Sequence, residues 1–389
     1  MLLEFPAELQ VRILSNLPAP DISTVSQVNQ SFHKLCQEET IWLNLAWKDF
    51  KVKLKTTEEF SPRIFYQSVL YPYRKALGLW QRQNLKYYSS IMKVSVRSDH
   101  LLFEEMIPPV ELREQFTFLP FLQVYRNRLD QTIKVKNLSK IALSNQVKII
   151  KPVSGGDNLT VIISNIEDHT MNPSDWRQVM LDFISIVAGG VEINDLLLMR
   201  FVQTYHSRAL YSYSKLNLSW PEIPLPIRPG IFVGSYGPHG VEVINLTRDS
   251  SRPGTCGVKV TGDPNVPFGQ VSFHIGSGEQ CLRIPREDQE NLPNLVSFLE
   301  NPTFVQYQDN LEIDFFTPAG CAERASIPYN KCKGRWMCEC QVAQHGFRDP
   351  SFIPGNFIIF NQDEFAVLFI ELASISLFRR VTPELTRGL

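Results

Sequence analysis

Cys332, Cys338 and Cys340 form a C-x5-C-x-C series with Cys321 upstream and His345 downstream, the one grouping in the chain with the residue types of a zinc site. Structural zinc sites, however, pair cysteines two to four residues apart, and alternate cysteines on a strand point the same way instead of converging. The spacing therefore reads as buried thiols, with no metal and no cofactor. His239, His274 and His345 fall in separate strand-rich segments that a barrel could gather around an open position, a geometry suited to hydrolysis. Alternation along Val271-Ser272-Phe273-His274-Ile275 puts His274 opposite the apolar face, on solvent or in a lumen. No GxxxxGK[ST], HExxH, GxSxG or CxxC occurs, which removes the common footholds for phosphate cradling, zinc hydrolysis and an activated serine.

Two loop-forming segments hold more promise. PGIFVGSYGPHG, Pro229 to Gly240, carries four glycines and two prolines, and TGDPN follows at Thr261 to Asn265. On the plain reading these are turns after strands. On the functional one they lie at one end of a barrel and present backbone N–H groups with the side chains of Tyr236, His239, Asp263 and Asn265. Such a nest suits the polar end of a peptide.

The elements that must hold these loops are strands. Beyond Leu79, short runs of strand formers alternate with Gly, Pro, Asn and Asp: Ser89 to Val96, Phe121 to Tyr125, Gln146 to Ile150 and Leu159 to Ile163. A helical insertion is expected over 174–206, where Trp176, Met180, Phe183 and Val187 share one stripe. Strand signals resume from Ile231 to Val381, with Asn361 to Glu364 as a hairpin loop. The near-regular spacing predicts a closed or nearly closed antiparallel barrel. Before it, Leu9, Ile13, Leu14 and Leu17, then Val25, Val28, Phe32 and Leu35, then Ile41, Trp42 and Leu45 recur at helical spacing. They predict three short helices over 1–50, with Asp21 as an N-cap of the second. A basic, aromatic linker helix, kinked or split at Pro72, is expected over 51–82, leaving 83–389 as the β-rich domain. The fold class is thus α+β. A bundle of this size cannot hide Leu3, Phe5, Ile13 and Leu17 by itself, so a partner polypeptide is implied.

The whole-chain arithmetic agrees. In 389 residues, 39 Lys and Arg against 40 Asp and Glu leave a net charge of −1, no field for nucleic acid or an anionic membrane. With 43% hydrophobic and 20% charged residues the composition is that of packed domains. The start MLLEFPAELQ is acidic and proline-interrupted, unlike a secretory signal, and no apolar run is long enough to span a bilayer. Seven cysteines, an odd number, fit reduced thiols in the cytoplasm or nucleus.

Leu2-Leu3-Glu4-Phe5-Pro6-Ala7-Glu8-Leu9, Ile13-Leu14, Leu17-Pro18, Asp21-Ile22, Val28-Asn29, Phe32 and Ile41-Trp42 resemble an F-box. The remainder resembles the F-box only protein 31 family: KALGLWQ at Lys75 to Gln81, PGIFVGSYGPHGVEV at Pro229 to Val243, KVTGDPNVPFGQ at Lys259 to Gln270, and HGFRDPSFIPGNFIIFNQDEFAVLFIEL at His345 to Leu372. The resemblance implies a non-catalytic substrate receptor of a Skp-cullin-F-box ubiquitin ligase, with Skp adaptor, cullin and RING subunits as partners. It implies adaptor contacts at Leu3, Pro6, Leu9, Ile13, Leu14, Leu17, Val28, Phe32 and Trp42. It also implies capture of a target's C-terminal peptide, a D-type-cyclin-like tail or a terminal amide, at Tyr236, His239, Lys259, Thr261, Asp263, Asn265 and His345. Two departures stand out. Vertebrate members have a Cys/His-rich zinc-binding stretch where Phe121 to His169 holds no cysteine, and a long insertion where this chain has a short connection around Glu300 to Tyr329. The rival expectation is a small-molecule-binding or hydrolytic barrel that uses its F-box for localisation or turnover.

Overall fold

The computed structural model describes residues 5–83, 86–109, 111–138, 146–150, 158–164, 210–276, 278, 280–308, 312–382 and 385. Leu3 and the helical insertion expected over 174–206 lie outside them.

Four short helices open the described chain, not three: α1 (Ala7–Leu14), α2 (Ala19–Val25), α3 (Gln30–Leu35) and α4 (Glu39–Phe50). The expected second helix is divided because the chain turns after Val25 and Asn29 caps anew, its side chain accepting the Phe32 N–H at 2.9 Å. Nor does Asp21 cap α2. Pro18 holds that place with extended backbone, Pro20 sits in the first turn where a missing N–H is harmless, and Asp21 follows inside the helix. Leu14, Ile22, Ile41, Trp42 and Leu45 face inward.

The linker departs from a single helix. Residues 51–61 run without helical structure, Ser61 caps the short α5 (Pro62–Phe65), and a π-helical turn over Tyr66–Leu70 follows directly. Pro72, which has no N–H to donate, lies just beyond. Tyr66, Val69 and Leu70 join Trp42 and Leu45 in one core with Trp80, Val94, Leu101, Phe103 and Val124 of the first sheet.

That sheet comprises β1 (Gly78–Arg82), β2 (Ile91–Val96), β3 (His100–Ile107), β4 (Thr117–Arg126), β5 (Ile133–Asn137), β6 (Gln146–Ile150), β7 (Asn158–Ser164) and β8 (Leu210–Lys215). All neighbours are antiparallel in the order β5-β4-β3-β2-β1-β8-β7-β6.

The second body starts with β9 (Gly230–Ser235), β10 (Val241–Arg248), β11 (Thr255–Lys259) and β12 (Val271–Ile275). Short pieces follow: β13 (Gln280–Leu282), α6 (Arg286–Gln289), α7 (Leu292–Glu300), β14 (Phe304–Gln306), β15 (Ile313–Asp314), β16 (Ala322–Glu323) and β17 (Lys331–Cys332). The long β18 (Gly334–Gln344) and β19 (Arg348–Ile359), then β20 (Glu364–Phe369) and β21 (Ser374–Arg380), complete it. β9 through β12 and β18 through β21 pair in series, and β21 pairs back onto β9, Phe378 opposite Gly234, so eight antiparallel strands close into a barrel. Closure leaves no free edge among these eight. The predicted antiparallel barrel is thus formed, and beside it stands an eight-stranded sheet that the sequence does not set apart, because strand signals do not reveal which runs pair.

Aromatic rings fill the barrel. Phe365 lies 4.7 Å from Phe378 and 4.8 Å from Phe357, and Phe273 is within 6 Å of all three. Two glycines make room for them: a Cβ on Gly234 would fall 2.2 Å from the Phe378 ring, and one on Gly257 would fall 2.3 Å from the Phe273 ring. The outer wall, with Ile231, Val233, Val241, Val243 and Val260, packs on Leu79, Ile91 and Met106 of the first sheet. Backbone bonds reinforce the seam, Ser89 N–H to Thr261 O at 2.7 Å and Phe268 N–H to Tyr87 O at 3.0 Å. No described helix is long and apolar enough to cross a membrane.

Candidate functional site

One end of the barrel gathers an unusual set of polar side chains. Tyr236 follows directly on β9, Glu242 is the second residue of β10 after the turn at His239, β11 ends on Lys259, and the loop beyond carries Thr261, Asp263 and Asn265. Lys259 and Asp263 form an ion pair with side chains only 1% and 2% accessible. The Lys259 ammonium also sits 4.1 Å from the Tyr236 ring centroid, a cation–π contact in a water-poor setting. The Tyr236 hydroxyl bonds that of Ser272 at 2.8 Å. Thr261 donates to the wholly buried Glu242 at 2.8 Å and accepts the Val243 N–H at 2.9 Å.

Electrostatics follow from this burial. Desolvation by itself would raise the Asp263 carboxyl, but the Lys259 ammonium, with His239 after it, holds it below its ordinary value. Desolvation pushes the Tyr236 phenol up. At the rim lies Arg324, just after β16, its Nη2 donating to Ser374 Oγ at 2.7 Å and its guanidinium 5.0 Å from the Phe369 ring centroid. Burial lowers its pKa, and Tyr236 and Asp263 counteract that in part.

The N–H groups of Asp263, Asn265 and Val266 are not free for a ligand as expected, the first bonding Val266 O at 3.0 Å. Asp263 Oδ1 accepts the N–H groups of Asn265 and Val266 at 2.7 and 2.8 Å, an Asx turn that satisfies the loop from within. Asn265 itself faces away, donating to Ala343 O at 2.7 Å. His345 is exposed at the tip of the β18–β19 hairpin, outside the polar set, although the N–H groups of Gly346 and Phe347 bond Pro264 O. Tyr236, Lys259, Thr261 and Asp263 thus come together, with His239 half-buried beside them, while Asn265 and His345 belong to the surrounding frame. Glu242, Ser272 and Arg324 complete the group and were not singled out from sequence; only the strand alternation placing Glu242 two residues from a turn hinted at one of them.

The histidines do not converge. His274 is neither on solvent nor in the lumen; it is buried beneath the β10–β11 turn, Nε2 3.5 Å from Asp249, where burial first and Arg252 second lower its pKa. Alternation excluded it from the aromatic interior, and residues 249–254 then cover the outer face. The Cys338 and Cys340 sulfurs point into the barrel together, 3.8 Å apart. Among the described residues no three His, Cys, Asp or Glu side chains are grouped as metal ligands.

The second candidate surface is on the N-terminal helices. Phe5 is 46% exposed, Leu9 44%, Ile13 42% and Val28 65%, and Pro6 is exposed beside them. Leu9 and Ile13, four apart on α1, share a face. Leu17 and Phe32 are half-buried. Leu14 and Trp42, expected among the adaptor contacts, belong to the core: Leu14 is 1% exposed, and Trp42 is 2% exposed with its indole N–H bonded to Cys36 O at 2.9 Å. Helical spacing gives a stripe, and on so small a bundle half of the stripe is consumed by its own packing.

Compared with known proteins, residues 2–46 match the family described as F-box-like, and residues 213–384 match the family described as Cyclin D1 binding domain. F-box only protein 31 of Rattus norvegicus is 26% identical over 444 aligned residues, spanning 98% of this chain and 84% of its own length. The Homo sapiens protein of that name is 25% identical, spanning 98% and 83%, and F-box only protein 31-A of Xenopus laevis is 26% identical, spanning 98% and 84%. The described polar barrel end, from Tyr236 to Arg324, falls inside the second matched region.

Proposed function

We propose that this chain, a homologue of the F-box only protein 31 proteins, is the substrate-recognition subunit of a Skp-cullin-F-box ubiquitin ligase and performs no bond chemistry itself. The observation that carries this reading is the exposure of Leu9 and Ile13 on α1, with Phe5 before it and Val28 in the α2–α3 turn, on a helical region whose other side is sealed into the core. Contiguous apolar side chains of this kind serve a partner, here the Skp adaptor, which links to cullin and RING subunits. Holding a target at the barrel raises the local concentration of its lysines near the charged conjugating enzyme.

The target segment in this reading is a C-terminal peptide, in keeping with the cyclin-D1-binding family match, and it docks at Tyr236, His239, Lys259, Thr261 and Asp263. Chemistry distinguishes the two forms of chain end. A free carboxylate suits Lys259 but is repelled by Asp263 and Glu242. A terminal carboxamide suits the whole set, its carbonyl accepting from Lys259 and its two N–H groups donating to carboxylate oxygens.

The test is a display library of random C-terminal peptides, as free acids and as amides, panned with the full chain bound to a Skp adaptor. Enrichment that depends on the form of the end, with amides favoured, is expected. Capture of internal sequences irrespective of the terminus would sink the chain-end reading. Failure to co-purify with any Skp adaptor would remove the receptor role as a whole.

A further inference from the structure

We infer that Arg324 is the residue with which the barrel end reads an acidic side chain close to the terminus of the bound peptide, a specificity that rests on the reading of this end as a peptide receptor. Several arginines of the described structure pair with carboxylates, Arg97 with Glu104, Arg128 with Glu59, Arg252 with Glu339 and Arg380 with Asp363, whereas the buried Arg335 bonds the amide oxygens of Gln289 and Asn356 instead. Arg324 is bonded to no carboxylate. Its guanidinium meets only neutral hydroxyls, Ser374 Oγ at 2.7 Å and Ser376 Oγ at 3.4 Å, and lies on the Phe369 ring. The one nearby carboxylate of the loop, Asp263, is taken by Lys259.

The residue is also held in place. Its N–H donates to Ile375 O at 3.0 Å, and its carbonyl accepts the Ser235 hydroxyl at 2.7 Å. Gly237, at φ +62°, lies alongside its stem, where even a Cβ would make only ordinary contact, 3.5 Å from Arg324 Nε. A guanidinium offers five N–H donors in a planar fork, and two serines do not exhaust them. Half-withdrawn from water, positioned and bonded to no carboxylate, it is prepared for one that arrives with the ligand. Lys259 and Asp263 lie deeper and receive the chain end itself, whereas Arg324 is half-buried at the rim and meets a side chain upstream of that end.

The experiment uses the full chain co-expressed with a Skp adaptor and fluorescein-labelled random octapeptides, amidated and free acid, with Asp or Asn fixed at each of the last four positions in turn. For the wild-type chain one position should favour Asp over Asn by about tenfold, the effect of a charge-assisted bidentate bond. Arg324→Gln should level that preference, Arg324→Lys should retain two- to threefold of it, and Arg324→Glu should favour a Lys pool instead. Adaptor co-purification and thermal unfolding report whether each variant is folded, and Arg324→Lys carries the test if the others are not. Equal binding of Asp and Asn pools by the wild type, or a preference surviving in Arg324→Gln, overturns the inference while leaving the receptor reading intact. Absence of binding by every pool to the wild type removes both, and is told apart by that blanket loss.

Discussion

The N-terminal helices and the barrel end break the usual burial rule in opposite directions. In the helical region, Phe5, Leu9, Ile13 and Val28 stay in water; in the barrel, Lys259, Asp263 and Glu242 are kept out of it. Each arrangement is unfavourable in the isolated chain, and each marks where another molecule changes the balance. They differ in what holds them. The apolar residues are supported by a core that does not need them, whereas the charges are supported by one another and by a few fixed dipoles, the Thr261 hydroxyl, the Asn265 and Val266 N–H groups and the Tyr236 ring. Substitution should therefore be read in folding at one place and in binding at the other.

The largest expected effect tests the barrel end. Lys259→Met leaves Asp263 buried without its partner and should destabilise the chain by about 3–5 kcal/mol, while Lys259→Met with Asp263→Leu should recover most of that loss in denaturant unfolding. A single variant as stable as the wild type would mean the pair is hydrated, and the contrast would collapse. Next, Leu9→Ala with Ile13→Ala should weaken adaptor binding by about a hundredfold in calorimetry and shift stability by no more than about 0.5 kcal/mol per site. Trp42→Ala sharpens the same comparison, since it should cost about 3–5 kcal/mol of stability before any adaptor is added.

Acidification gives a smaller, graded effect. The Asp263 carboxyl is depressed in the folded chain, so its stabilisation is complete above the unfolded value, about 3.9, and is lost as pH falls through the folded one. Unfolding midpoints should fall below about pH 4, and Asp263→Asn should flatten that limb. Smallest of all, His274 is also depressed, here from 6.5, so stability should begin to decline as pH drops through that value, and His274→Gln should remove the step. A midpoint indifferent to pH between 7 and 5 in both proteins would contradict it.

Much of this contrast was legible in the residue order, and what was not has definite causes. Alternation located β12 at Val271–Ile275 to the residue, and the loop before Glu364 marked the β19–β20 turn. Pairing was hidden: Gly234 and Phe378 meet across 144 positions, and nothing local tells one strand which distant run it will find. The helices were visible as a stripe, but Leu14 and Ile13 are adjacent apolar residues, and only the packing of α4 decides which is core. The spacing of Lys259 and Asp263 would suit an exposed turn as well as a buried one; Tyr236 and Arg324, from separate elements, make it buried. Arg324 itself lies in a stretch with few strong periodic signals, so its lack of a bonded carboxylate appears only once Ser374 and Ser376 are brought alongside.

The pairing of β21 with β9 also sets an order of events during synthesis. The N-terminal helices depend mainly on near neighbours and can form while the chain is still emerging, but the barrel has no eighth stave until residue 380 has left the ribosome. For that interval β9 and β20 are bare edges, open to the strands of any neighbouring chain. A frameshift or nonsense change that removes only β21 should thus yield an aggregating product with intact adaptor-docking helices, capable of occupying ligase scaffolds while capturing nothing.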